Sequence, residues 1–175
     1  GEGAFRLATP AALQQLGMVR DAAVADINQD SWPDIVIVGE WMPITVLINQ
    51  QGTFTNATAR YGLAQTSGLW NSIQLLPNAA TGAMDFIVGN HGQNTFFKPN
   101  MRMYVNDFDN NGTLEQIICQ QEGTKYYPII DKEELISQLP SLKKKIVYFK
   151  TYAQADMTYL FDPDQLKNSK VFDLN

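Results

Sequence analysis

Asp26-Ile-Asn28-Gln-Asp30-Ser-Trp32-Pro-Asp34 runs straight into Ile35-Val-Ile-Val38-Gly39, and this junction decides how the chain is read. Oxygen-bearing side chains fall at alternate positions, Asp26, Asn28 and Asp30, and again at Asp34. A short loop curled around a cation presents every second side chain inward, and calcium (Ca2+), a hard ion, takes about six to eight oxygens. Trp32, in the seventh position, has no side-chain oxygen and offers its backbone carbonyl instead. An EF-hand opens in a similar way, but it needs a glutamate at its twelfth position and helices on both sides. The twelfth position here is Ile37, inside a β-branched run that reads as a strand. The stretch is therefore expected to be a calcium loop between two strands.

The pattern returns as Asp107-Phe-Asp109-Asn-Asn111-Gly112-Thr113-Leu-Glu115, followed by Gln-Ile-Ile-Cys119, with Ile118 in the twelfth position. Either copy alone could be a plain turn, because Asp and Asn side chains hydrogen-bond their own backbone. Two copies, each leading into a strand, favour a metal.

The 175 residues are enough for one domain and a small appendage. At 45% hydrophobic and 18% charged, the composition is that of a globular protein. A net charge of −5 argues against nucleic acid, which needs a basic footprint. The carboxylates are partly concentrated in the two loops, where a divalent ion would offset them. The single cysteine, Cys119, excludes an internal disulfide and reads as a buried, inert thiol. No apolar run approaches the length of a membrane span, so no direct membrane insertion is expected. Gly1-Glu-Gly-Ala4 does not look like a natural start, which suggests that the chain begins inside a longer protein.

Residues 1–17 read as a lead-in with one helical turn. Strands are expected at 20–25, 34–38, 44–48 and 53–55, with a turn at 39–43 and a hairpin turn at Asn49-Gln-Gln-Gly52. Such a series of antiparallel strands is the build of one propeller blade. Asp85-Phe-Ile-Val-Gly89 echoes Asp34 to Gly39, but the matching ligand positions are Pro77, Ala79 and Thr81, so this middle loop is expected to be metal-free. Met101 to Asn106 opens a third unit, and the unequal spacings make these irregular repeats. After Ile130 the character changes. Asp131 reads as a helix N-cap, Pro140 as a break and Asp162-Pro163 as another helix start. Leu142, Ile146, Phe149 and Tyr152 recur at helical spacing.

The expected fold is therefore mainly β with a helical C-terminal part. It is a partial β-propeller of about three irregular antiparallel blades over 18–130, with inter-strand calcium loops. A helical insertion follows at 131–170, and 171–175 looks like the start of a further strand, cut short. Too few blades leave sheet edges or a face uncovered, which invites self-association unless the stripe Leu142, Ile146, Phe149 provides a cover.

Both loops, each followed by an apolar strand, resemble FG-GAP/VCBS repeats, the calcium-loop blades of integrin-α-type β-propellers. The strings Gly39-Glu-Trp-Met-Pro-Ile44, Gly89-Asn-His-Gly-Gln-Asn94 and Asp107-Phe-Asp-Asn-Asn-Gly112 look like VCBS-repeat proteins related to the ASPIC/UnbV group of exported bacterial proteins. So does the segment from Leu139-Pro-Ser-Leu-Lys-Lys-Lys145 to Tyr152-Ala153. The resemblance, over 18–170, implies a propeller, calcium between strands and an extracellular or cell-envelope setting; it implies no reaction. It carries over as ligands Asp26, Asn28, Asp30, Trp32 (carbonyl) and Asp34, and in the second loop Asp107, Asp109, Asn111, Thr113 (carbonyl) and Glu115. Gln29 and Ser31 depart from the pattern, standing where glycines are usual.

His91, the only histidine, lies in a polar turn and reads as a surface or hydrogen-bonded residue. No nucleophile elbow, phosphate loop or zinc-protease motif is present. Lys143-Lys-Lys145 reads as a solvated face. Trp41, Trp70, Tyr126 and Tyr127 could form a sugar platform but are expected in the core. The sequence points to a non-enzymatic, calcium-binding scaffold for adhesion or for a protein or glycan ligand. Its rival is part of a polysaccharide-acting enzyme. That enzyme would need paired carboxylates outside the metal loops, for which Glu40 and Glu122 are available but unpaired in sequence.

Overall fold

The computed structural model describes residues 9–92 and 95–174. The head of the lead-in, the Gln93-Asn94 end of the string quoted above and Asn175 lie outside the described residues. The chain forms two compact units, Gly1–Asn94 and Thr95–Asn175.

Among the described residues, the first unit contains β1 (Met18–Ala25), β2 (Asp34–Met42), β3 (Thr45–Gln50), β4 (Thr53–Asn56), β5 (Gly68–Pro77) and β6 (Met84–Asn90). β1, β2, β3 and β4 pair antiparallel in chain order, as expected from the sequence. β5 joins the far end of β2, and β6 pairs with β5. Side chains alternate across a strand, and both faces of β2 are covered. Val36 and Val38 pack with Val46, Ile48 and Ile73 on one face, where Ala57 and Leu63 join them. Ile37 packs with Leu47 and Met42 on the other, against Leu13 and Leu16 of the lead-in. Burial on both faces is why Ile35 to Val38 is an unbroken apolar run instead of an alternating one.

The turn expected at 39–43 begins later than the sequence suggests, because β2 continues to Met42. Gly39 allows it. A Cβ there would lie 2.1 Å from the Met18 carbonyl oxygen, so only glycine lets β1 approach so closely. Next to this contact the β1–β2 register shifts between Val19 and Asp21. The β5–β6 hairpin has the same arrangement: its register shifts between Trp70 and Ser72, and a Cβ on Gly89 would lie 2.6 Å from Ser72 Oγ. Trp41, at φ 57°, kinks β2 where β5 takes over the pairing.

The second unit has β7 (Met101–Asn106), β8 (Glu115–Glu122), β9 (Lys125–Pro128) and β10 (Lys170–Asp173), in the order β10-β7-β8-β9. Its helices are α1 (Lys132–Gln138), α2 (Phe149–Tyr152), α3 (Met157–Leu160) and α4 (Pro163–Asn168), with a 3₁₀ turn at Pro140–Lys144. Asp131 caps α1 by accepting the Glu134 N–H at 2.9 Å. Tyr104, Ile117 and Cys119 of the sheet share one core with Leu135, Leu139, Leu142, Ile146, Met157 and Phe161, so the helical segment covers a sheet face. β10 pairs with β7 and is fastened by Arg102, whose guanidinium donates to Asp173 at 2.6 and 3.0 Å. The expected stripe needs a correction at Phe149. Leu142 and Ile146 are buried, but Phe149 is 65% exposed. The 3₁₀ turn stops at Lys144 and Tyr148 is extended (φ −104°, ψ 144°), so helical phase is lost before Phe149.

Candidate metal centre

The two acidic loops close the β1–β2 and β7–β8 hairpins, and they are built by the same four kinds of hydrogen bond. The first residue accepts twice: Asp26 from the N–H of Asp30 (3.0 Å) and Ser31 (2.7 Å), Asp107 from that of Asn111 (2.9 Å) and Gly112 (2.8 Å). The fifth accepts from the seventh, Asp30 from the Trp32 N–H at 2.8 Å and Asn111 from the Thr113 N–H at 2.7 Å. The last carboxylate accepts from the second residue, Asp34 from Ile27 at 2.8 Å and Glu115 from Phe108 at 2.9 Å. These bonds hold the loop backbones curled; among the described residues, only the second loop brings three carboxylates together. A carboxylate oxygen has two lone pairs, so one amide donor leaves it free to meet a cation as well.

The loops differ at their centres. Asp107, Asp109 and Glu115 each place a carboxylate oxygen within 4.8 Å of the other two. Two oxygens on one calcium are at most about 5 Å apart, so this ring has the span of a calcium shell. Among the described residues, two sealed carboxylate oxygens have no hydrogen-bond partner, Asp109 Oδ1 and Asp156 Oδ2. The second has Lys125 Nζ at 2.7 Å. Asp109 forms no ion pair among the described residues. A buried, uncompensated carboxylate oxygen beside two others is costly, and the residues present fit a divalent ion that would relieve it.

In the first loop the Asn28 amide donates to Asp30 Oδ2 at 2.8 Å, tying the third position to the fifth across the centre. Asp34 is fully buried, and its other oxygen accepts the Asn49 N–H at 2.7 Å. Asn49 also donates to the Pro33 carbonyl and accepts from Gly52, so it welds this loop to the β3–β4 turn. Trp32 lies 43% exposed. In the middle hairpin the Asn78 amide donates to Asp85 at 2.9 Å, so a neutral side chain satisfies the one carboxylate.

The remaining candidates form no part of these loops. His91 is exposed, with Nε2 3.1 Å from Asn71 Oδ1. Cys119 is fully buried, and burial pushes its thiol up to about 12, which removes it as a nucleophile or soft-metal ligand. Lys143, Lys144 and Lys145 are exposed, and Lys145 donates to the Leu160 carbonyl. Trp41 is buried, and Trp70, Tyr126 and Tyr127 are half-buried. Glu40 is held by Arg20 at 2.8 Å. Sequence reading missed three residues that place the loops: Asn49, Phe108 and Gln165, whose amide donates to the Phe108 carbonyl at 2.7 Å. The available signal was an apolar second position in both acidic loops, Ile27 and Phe108, each packed toward its unit's core. Compared with protein-family models and with curated proteins, the chain matches none.

Proposed function

We propose that this chain is a calcium-stabilised β scaffold, non-enzymatic, whose acidic hairpin loops are locked by the ion. The observation that carries this reading is the sealed and unpartnered Asp109 Oδ1 in a ring with Asp107 and Glu115. Asp107, Asp109, Asn111, Glu115 and the Thr113 carbonyl would hold the ion there. It would supply charge neutralisation and fix the hairpin tip. The first loop, through Asp26, Asn28, Asp30, Asp34 and the Trp32 carbonyl, would bind more weakly, because the Asn28–Asp30 hydrogen bond has to open first. At the affinities of extracellular modules, millimolar calcium adds only about 1 kcal/mol per site.

In this reading the units are propeller blades of the FG-GAP/VCBS kind in an exported or cell-envelope protein, presenting a protein or glycan ligand to loops held by the ions. The shared hairpin design supports it: a glycine facing a register shift in β1–β2 and β5–β6, and the same loop hydrogen bonds in β1–β2 and β7–β8. Among the described residues no helix is long and apolar enough to cross a membrane.

Titration calorimetry with calcium tests the reading on the intact chain and on Asp109→Ala. Binding at two sites is expected, with the tighter one lost in the variant. Unchanged stoichiometry and affinities in Asp109→Ala would sink the assignment.

A further inference from the structure

The second loop is not an isolated hairpin tip. Its second residue, Phe108, is buried with its ring 4.2 Å from that of Phe161. The Phe108 N–H bonds Glu115, while its carbonyl accepts Gln165 Nε2 at 2.7 Å. Gln165 is occupied on every side: its Oε1 accepts the Asp162 N–H at the start of α4, and its own carbonyl accepts Asn106 Nδ2 at 2.9 Å and Ser169 Oγ at 2.8 Å. Ser169 leads directly into β10. Through its two backbone groups, one residue of the loop therefore touches a candidate ligand on one side and the C-terminal segment on the other.

We infer that calcium in the Asp107–Glu115 loop controls the docking of α4 and β10, with Gln165 as the positioning residue between them. The inference rests on the calcium reading of that loop and adds a regulated element to it. With the ion bound, the ring of carboxylates is neutralised, the Phe108 peptide is held in place, and α4 seats with its amide on the Phe108 carbonyl. Without it, repulsion within the ring loosens the Phe108 peptide, Gln165 loses a fixed acceptor, and β10 separates more readily from β7. The β7 edge that β10 occupies is then open to another strand. α4 has only six residues, too few to persist without tertiary contacts, so this segment responds to the loss of one anchor.

Two measurements test this on the intact chain. Hydrogen exchange with and without calcium is expected to give α4 and β10 a larger gain in protection than β9. Gln165→Glu keeps an acceptor for the Asp162 N–H but removes the donor to Phe108. It should abolish the selective gain and, because coupling is reciprocal, weaken calcium binding about fivefold or more at unchanged stoichiometry. Phe161→Leu should act in the same direction through the ring contact, which covers the case of a poorly folded Gln165→Glu. Equal protection gains in β9, α4 and β10, or unchanged calcium affinity in both variants, would overturn the coupling alone. No calcium binding by the unaltered protein would overturn the underlying reading and the coupling with it.

Discussion

Both acidic loops pass through the left-handed backbone region at their fourth and sixth positions: Gln29 at φ 62° and Ser31 at 71°, Asn110 at 58° and Gly112 at 87°. An L side chain there costs roughly 1–2 kcal/mol; glycine escapes the cost, and Asn, as at Asn110, tolerates the region better than most. A Cβ on Gly112 would meet nothing within 4 Å, so its contribution is purely conformational. Gly112→Ala is expected to lower stability by about 1 kcal/mol and Ser31→Gly to raise it by somewhat less, because glycine also loosens the unfolded chain. Urea midpoints of the two variants check this. The alternation of oxygen side chains and the misfit at Gln29 and Ser31 were legible in the sequence, since both are properties of residue type at a fixed spacing. What Asp34 and Asp109 do differently was not. Both stand in the pattern as carboxylates, yet each oxygen of Asp34 already accepts an amide, from Ile27 and from Asn49, while one oxygen of Asp109 has no donor. That difference depends on partners from outside the motif.

At the level of the element, the strands were easier to read than the helices. β2 and β3 announce themselves by β-branched runs, whereas the stripe from Leu142 to Tyr152 assumed one continuous helix and so one phase. The 3₁₀ turn advances by three residues per turn, and an extended residue follows it, so Ile146 lands in the core and Phe149 beside Lys132, whose Nζ lies 4.5 Å from the ring centroid. Ile146→Ala is accordingly expected to cost about 2–4 kcal/mol and Phe149→Ala less than about 1 kcal/mol. Chemical denaturation of the two variants measures the gap. A continuous helix burying both positions would make the two costs similar. The glycines of β2 and β6 show the converse case. Gly39 and Gly89 were visible as an echo, but the register shifts they face belong to the paired strands and appear only when the hairpins are formed.

At the scale of the whole molecule, the second unit carries an internal acid-sensitive tie. Burial pushes the Asp156 carboxyl up, but the ion pair with Lys125 and hydrogen bonds from Thr158 and the Tyr159 N–H outweigh it and hold the group below the ordinary carboxylate range. A lowered folded-state value means stability that is present above the unfolded carboxylate value and lost as pH falls through the folded one. Lys125→Met is therefore expected to flatten the acid side of the stability profile, measured as urea midpoint against pH. An unchanged acid slope would remove this tie from the account. The division of the chain into two units was itself hard to read, because the break falls within a polar stretch after Gly89 whose composition resembles that of the loops on either side. Yet the distribution of rare residues respects it. All three tryptophans, Trp32, Trp41 and Trp70, belong to the first unit, and the only thiol, Cys119, is sealed in the second. The protein thus carries two native reporters, one per unit: indole emission for the first and thiol-reagent labelling for the second. Calcium is expected to protect the thiol at lower concentrations than it shifts the emission transition, so the two signals read out which unit the ion has stabilised.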